Sequence, residues 1–123
     1  MDAEKFTKKS LEVIESCEKL AYEYNNQELT QAHLMYALVT VEDSLVAKLL
    51  TNMGINMEAF KGECEKLVAN RPKVSGGQLF TSPEFSKALI QAEKEAKQMG
   101  DDYISVEHIF LGLLEKAVLF SLH

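Results

Sequence analysis

The sequence predicts an all-α fold made of two pseudo-symmetric helical repeats in a single domain spanning residues 1–123. The segment Leu29–Leu38 (LTQAHLMYAL) is similar to Ile104–Leu113 (ISVEHIFLGL), which lies 75 residues further along the chain. This register continues backwards without a gap over a helix and a polar turn, and self-similarity of this kind constrains the architecture of the whole chain. Apolar residues recur at three-and-four spacing, and no alternating strand pattern interrupts them.

The first two helices each begin at a threonine. Thr7 is placed to cap the first helix, because a hydroxyl before the first turn accepts a backbone N–H that has no partner within the helix. Thr30 is placed in the same way before the second helix. The residues predicted to face the core are Leu11, Ile14, Cys17, Ala21 and Tyr24 in the first helix, and Leu34, Met35, Ala37, Leu38 and Val39 in the second.

Two shorter helices complete the first repeat, which is expected to cover about residues 3–70. Asp43 or Ser44 begins the third helix, and Gly54 ends it because glycine adopts the left-handed conformation without a Cβ clash. Asn56 caps a fourth helix that runs to about Asn70. The predicted buried residues are Leu45, Val46, Leu49 and Leu50 in the third helix, and Phe60, Cys64, Leu67 and Val68 in the fourth.

A linker over about residues 71–80, which contains Pro72 and the pair Gly76-Gly77, separates the repeats. The second repeat, about residues 81–123, opens with Ser82-Pro83-Glu84, which combines a cap, a proline at the first helical position and an acid near the positive end of the helix dipole. Gly100 ends this fifth helix and Ser105 caps the sixth. The fifth helix is predicted to bury Phe85, Leu89, Ala92, Ala96 and Met99.

The second repeat is shorter than the first, since nothing in it corresponds to the third and fourth helices except the apolar tail at 118–123. A natural end of the sequence and a truncated repeat both fit this shortness, and the duplication favours truncation. We therefore expect the apolar side chains of Ile109, Leu113 and Leu114 to lack cover and to favour self-association of the isolated domain.

Bulk composition narrows the function classes. The net charge of −6 argues against nucleic-acid binding, which needs a basic surface. No apolar run is long enough for a membrane span and no signal peptide is recognisable, so a cytoplasmic location is expected. Cys17 and Cys64 sit in helical patterns without metal-ligand spacing, which predicts buried free thiols and no metal site.

Several segments together resemble the amino-terminal domain of the ClpB-type AAA+ chaperones, the disaggregases of bacteria. These segments are Ala3-Glu4-Lys5-Phe6-Thr7-x-Lys9-Ser10, His33-Leu34-Met35-x-Ala37-Leu38, Gly54-Ile55-Asn56 and Gly100-Asp101-Asp102-Tyr103-Ile104-Ser105-x-Glu107. The likeness runs from Ala3 to about Lys116. It implies the two-repeat helical fold and a role in engaging unfolded or aggregated polypeptides for a homohexameric parent protein.

The resemblance also implies site residues. Thr7, Asp101 and Glu107 match family positions tied to substrate engagement, although each also has an ordinary structural role as a cap, turn or helix-dipole residue. The resemblance further implies a neighbouring apolar groove lined by Leu89, Ala92, Ala96 and Ile109. Three polar residues depart from the family pattern there, namely Gln91, Glu95 and His108.

No Gly-x-x-x-x-Gly-Lys-Ser/Thr loop is present, so this chain is expected to be neither an enzyme nor a nucleotide binder. ATP and magnesium are expected only in later domains of the parent protein. The alternative is the related adaptor-docking domain of the ClpC and ClpA unfoldases. In ClpC both repeats carry a Glu before the helix-opening His, whereas this chain has Glu107-His108 but Ala32-His33.

Overall fold

The computed structural model describes residues 2–74 and 76–121, with side chains in the last helix as far as Glu115. Within this part of the chain the fold is all-α, as predicted. The helices are α1 (Lys8–Glu23), α2 (Gln31–Thr40), α3 (Leu45–Asn52), α4 (Met57–Ala69), α5 (Pro83–Gln98) and α6 (Val106–Ser121). A 3-10 turn at Ala3–Lys5 precedes α1, and two short strands, β1 (Glu28–Leu29) and β2 (Phe80–Thr81), flank the helices.

Four predicted caps are confirmed by their hydrogen bonds. The side chains of Thr7, Ser44, Asn56 and Ser82 each accept the backbone N–H of the residue three positions further on, which begins α1, α3, α4 and α5 respectively. Each bond satisfies one of the backbone donors that a helix start leaves without a partner. These four helix starts are therefore fixed by local sequence.

The two repeats are joined by equivalent backbone contacts that the sequence did not predict. β1 pairs in parallel with β2, and an isolated parallel bridge joins Phe6 to Ile104. The Thr7 N–H donates to the Ile104 carbonyl at 3.0 Å, and the Ser82 N–H donates to the Leu29 carbonyl at 2.9 Å. A shift of 75 residues converts one bond into the other, so each repeat ties the start of its first helix to the turn of the other repeat.

Several predicted buried faces need correction. In α1, Val13 and Leu20 lie in the core, while Leu11 and Ile14 only pack against its edge. The helix has two adjoining apolar stripes, and the one that includes Val13 faces the core because the neighbouring helices pack against it. The sequence also predicted burial for four residues that the structure exposes by about half or more, namely Leu45, Leu49, Leu67 and Met99.

The second repeat is better covered than its length suggested. Ile109 and Leu113 are 0% and 3% exposed, because α5 packs against the face of α6 on which they lie. Of the three residues expected to lack cover, Leu114 alone is exposed, at 39%. The expected lack of cover is therefore wrong for two of the three residues, and self-association stays a prediction. The side chains of the apolar tail at 118–123 lie outside the described residues.

Cys17 and Cys64 are free thiols with buried side chains, as predicted. Burial raises the pKa of both thiols, because the thiolate form would lose its hydration. No helix in the described part of the chain is both long enough and apolar enough to cross a membrane.

Candidate functional site: an apolar groove beside an acidic hollow

A groove of about 650 Å³ lies between α3, the start of α4 and α6. All its lining residues are apolar except Glu107. They are Met35, Leu45, Val46, Leu49, Leu50, Met53, Ile55, Phe60, Glu107, Phe110, Leu111 and Leu114. We call this cavity the α3–α6 groove.

The exposed wall of this groove comes from the outer stripe of α3. Val46 and Leu50 point into the core, whereas Leu45, Leu49 and Met53 follow one another at four-residue spacing on the adjoining stripe. Their exposures are 51%, 47% and 67%. A contiguous apolar surface of this kind on a small domain typically marks a binding site.

A second cavity of about 300 Å³, which we call the acidic hollow, adjoins the groove. Leu45 and Glu107 line both cavities. The other residues of the hollow are Thr7, Lys9, Leu38, Val41, Asp43, Ser44, Ser105 and Val106. Thr7 and Glu107, two of the residues that the sequence pointed to, therefore share one cavity.

Thr7 has a structural role that the geometry makes explicit. Its Oγ1 accepts the Ser10 N–H at 3.1 Å, and its own hydroxyl donates to Ser10 Oγ at 2.9 Å. Ser10 in turn donates to the Ile104 carbonyl at 2.9 Å. Thr7 thus caps α1 and, through Ser10, fixes the helix against the turn of the second repeat.

We expect Thr7→Ala to lower the free energy of unfolding by about 1 kcal/mol, since the cap to Ser10 is lost. Ser82→Ala is the matched control, because Ser82 caps α5 at the equivalent position of the second repeat. Urea denaturation measures the free energy of unfolding of each variant relative to the wild type. A Thr7→Ser variant that is as destabilised as Thr7→Ala would contradict the capping role, because serine keeps the hydroxyl.

Asp101 belongs to a hydrogen-bonded chain that leads to Glu107. The Asp101 carboxylate lies 2.8 Å from Nε2 of His108, whose Nδ1 accepts the Ser105 N–H at 2.9 Å. The Ser105 hydroxyl donates to Glu107 at 3.2 Å. Because Nδ1 of His108 accepts a backbone N–H, the network assigns the ring proton to Nε2, which donates it to Asp101.

The first repeat contains the same histidine arrangement with an amide in place of the carboxylate. Nδ1 of His33 accepts the Thr30 N–H at 3.0 Å, and Nε2 lies 2.9 Å from Oδ1 of Asn26. His33 is fully buried, and this burial, together with the charge of Arg71, lowers its pKa to about 4. Both histidines therefore hold a turn against the first residues of a helix and need no metal to explain them.

The structure does not open a groove at Leu89, Ala92, Ala96 and Ile109, the four residues for which the sequence predicted one. Their exposures range from 0% to 8%, and they lie in the core between α5 and α6. The small residues serve close packing, since a Cβ built on Gly112 of α6 would lie 2.5 Å from the Ala88 carbonyl oxygen of α5. Gln91 and His108, two of the polar departures, are buried in the same region.

The sequence reasoning missed the groove on α3. The sequence did contain a signal for it, because the α3 segment carries two adjoining apolar stripes. Val46 and Leu50 form one of them, and Leu45, Leu49 and Met53 form the other. An eight-residue helix at the surface needs only one apolar stripe to be held in place. The second stripe is therefore the part of the pattern that indicated a binding surface.

Comparison with known proteins identifies the family. The model of the Clp repeat (R) N-terminal domain matches residues 5–121. The chaperone protein ClpB of Nitratidesulfovibrio vulgaris is 41% identical over 121 residues, an alignment that covers 94% of this chain and 14% of that protein. The chain thus spans about a seventh of the length of this relative.

Two solved structures share the fold. The Hsp104 N-terminal domain from Candida albicans has a TM-score of 0.84 at 21% identity, covering 95% of this chain and 78% of that one. The N-terminal domain of the caseinolytic protease associated chaperone ClpD from Arabidopsis thaliana has a TM-score of 0.67 at 18% identity, with coverage of 92% and 77%. The chain therefore belongs to the Clp repeat N-terminal domain family, in which it resembles the ClpB chaperones.

Proposed function

We propose that this chain is the substrate-engaging N-terminal domain of a ClpB-like, ATP-dependent protein disaggregase. It binds exposed apolar segments of unfolded or aggregated polypeptides in the α3–α6 groove. The observation that carries the proposal is the groove itself, whose apolar walls on α3 and α6 face solvent in a domain of a chaperone-type family. Unfolded chains expose the large apolar side chains that such a surface buries with a gain in free energy.

The chain's own residues bind and do not catalyse in this proposal. ATP and magnesium act in other domains of the parent protein, which we propose to be a cytoplasmic homohexamer. A groove of this size gives weak affinity for one segment, because a small buried area must offset the ordering of a flexible chain. Six copies on one ring compensate by raising the effective concentration of binding sites around one aggregate.

The test is binding of a fluorescent, permanently unfolded protein to the isolated chain, followed by anisotropy. We expect Leu49→Ser with Met53→Ser to lower the affinity at least tenfold, because two apolar contacts in the groove are lost. Leu67→Ser is the matched control. This leucine is 60% exposed on α4 and does not line the groove, so its loss changes surface hydropathy without changing the site.

Equal binding by the groove variant and the wild type would refute the proposal. Binding to a folded adaptor protein but to no unfolded chain would instead favour the docking role of the ClpC and ClpA domains. One residue argues against that role, because Ala32 of the first repeat stands at the position that Glu107 occupies in the second.

A further inference from the structure

Met53 is the most exposed of the apolar side chains that line the α3–α6 groove. It is 67% exposed and follows the last residue of α3, at the end of the stripe that it forms with Leu45 and Leu49. Methionine differs from leucine in chemistry, because mild oxidants convert its thioether to a sulfoxide. The open end of the groove therefore carries an oxidisable side chain that a dissolved oxidant can reach.

The other sulfur-containing side chains near the groove and in the core are less accessible. Met35, which also lines the groove, is partly buried and packs against the core. Cys17 and Cys64 are buried, and burial raises the pKa of both thiols, which keeps them in the less reactive protonated form. Oxidation within the groove is therefore expected first at Met53.

A sulfoxide at Met53 has no hydrogen-bond donor waiting for it among the described residues. The side chains that line the groove are apolar except Glu107, whose carboxylate accepts hydrogen bonds and does not donate them. The backbone N–H groups of Met53, Gly54 and Ile55 already donate to carbonyl oxygens of α3, at 2.9 to 3.1 Å. Water hydrates the new oxygen in the free groove, and a bound apolar segment would remove that water without replacing its hydrogen bonds, which opposes binding.

We propose that Met53 is an oxidation site through which a hydroperoxide lowers the affinity of the α3–α6 groove for apolar polypeptide segments. A lone pair of the sulfur attacks one peroxide oxygen, so that an S–O bond forms as the O–O bond breaks. The sulfur loses two electrons to the peroxide, and with hydrogen peroxide the second oxygen leaves with both protons as water. The role of Met53 rests on the proposed function and adds a covalent modification that regulates it.

Oxidation of Met53 is expected to leave the fold intact. Val46 and Leu50 hold α3 against the core, whereas the side chain of Met53 lies outside it. The contribution of Met53 to the end of α3 is its backbone N–H, which oxidation does not alter. The modification therefore changes the surface of the groove and not the packing beneath it.

Met99 provides a matched control within the same chain. It follows the last residue of α5 as Met53 follows the last residue of α3, and in both places the next residue is a glycine with positive φ, +73° at Gly100 and +89° at Gly54. Met99 is 55% exposed and lines neither the groove nor the acidic hollow. The two methionines thus share local geometry and accessibility and differ in their position relative to the groove.

The test is limited treatment of the chain with hydrogen peroxide, with peptide mapping by mass spectrometry to follow each methionine. Binding of the fluorescent, permanently unfolded protein is then measured by anisotropy. We expect wild type oxidised at Met53 to bind about tenfold more weakly than the untreated chain, because one buried acceptor is left without a donor. Treatment with both stereospecific methionine sulfoxide reductases and dithiothreitol should restore the affinity.

The variants are Met53→Leu and Met99→Leu, each of which replaces the thioether by an apolar side chain of similar size. Each is compared with its own untreated sample, so a change in its basal affinity does not enter the result. We expect peroxide to leave the affinity of Met53→Leu nearly unchanged and to weaken Met99→Leu as much as wild type. Thermal melts followed by circular dichroism check that the treated proteins remain folded.

The outcomes separate the oxidation site from the proposed function. If untreated wild type binds the unfolded protein but oxidation of Met53 leaves its affinity unchanged, the role of Met53 is refuted and the groove function stands. An equal loss of affinity in Met53→Leu, or protection by Met99→Leu, also refutes it, since another residue would then be responsible. A Met53 that stays unmodified while Met99 is oxidised refutes it as well. If untreated wild type does not bind, both proposals fail.

Discussion

Gly112→Ala should destabilise this domain strongly, because the added methyl group has no space between α5 and α6. A Cβ at this position lies 2.5 Å from the Ala88 carbonyl oxygen and 2.9 Å from the Ala92 nitrogen, both in the backbone of α5. Backbone atoms cannot rotate away as a side chain can, so α5 and α6 must move apart at this contact. We expect the free energy of unfolding to fall by about 3 kcal/mol, at the upper end for overpacking of a core.

Gly62→Ala is the internal control for this substitution. Gly62 also lies within a helix, α4, but nothing comes within 4 Å of a Cβ built there. Because alanine has the higher helix propensity, we expect this variant to gain about 0.5–1 kcal/mol. Urea denaturation and a thermal melt measure both variants, with Tm lowered by roughly 10 °C in Gly112→Ala. Unchanged stability of Gly112→Ala would contradict the spacing of α5 and α6.

The position of Gly112 also explains why one part of the site was not predicted correctly. Ala92 and Ala96 fit a groove as well as they fit a tight helix contact, because small side chains serve both purposes. Glycine at 112, one turn after His108, favours the tight contact, since a groove floor needs no such close approach. The resemblance to a family indicated that these residues line a groove. Whether they are exposed depends on the packing of α5 against α6, which the sequence does not show.

Features fixed by short-range contacts were predicted well. The caps at Thr7, Ser44, Asn56 and Ser82 depend on a bond to a residue three positions away, so the sequence itself contains both partners. The all-α class likewise follows from spacing within each helix. These features need no knowledge of how the helices pack.

Features that depend on the choice of neighbours were predicted less well. In α1 and α3 two apolar stripes adjoin, and the stripe that faces the core is selected by helices far away in sequence. Leu49 was therefore predicted to be buried although it lines the α3–α6 groove. The bonds between Asn26 and His33 and between Asp101 and His108 were also missed. Each spans seven residues and depends on how the turn before the helix folds.

These two histidine contacts lead to the second large effect, an acid sensitivity centred on His33. Its pKa in the folded chain is lowered to about 4 from 6.5, first by burial and then by Arg71. Above pH 6.5 the ring is neutral in both the folded and the unfolded state, so its full contribution to stability is present. As the pH falls from 6.5 towards 4, the unfolded chain takes up a proton that the folded chain refuses, and stability is lost.

The size of this loss is on the order of 3 kcal/mol over that interval, given 1.36 kcal/mol for each unit of pKa difference. Urea denaturation at pH 7, 6, 5 and 4 measures it, and the NMR shifts of the His33 ring report its protonation directly. The geometry opposes protonation as well, because Nδ1 of the ring already accepts the Thr30 N–H and has no room for a proton of its own.

The Asn26→Asp variant distinguishes the loss of stability caused by His33 from the loss that protonation of carboxylates causes in any protein at low pH. The substitution gives the first repeat the carboxylate–histidine pair that Asp101 and His108 form in the second. A carboxylate facing Nε2 favours the charged ring, so we expect the pKa of His33 to rise and the loss of stability between pH 6.5 and 4 to shrink. A wild-type His33 that titrates near pH 6.5 in the folded chain would refute this account, because burial would then oppose its charging too weakly to link folding to pH.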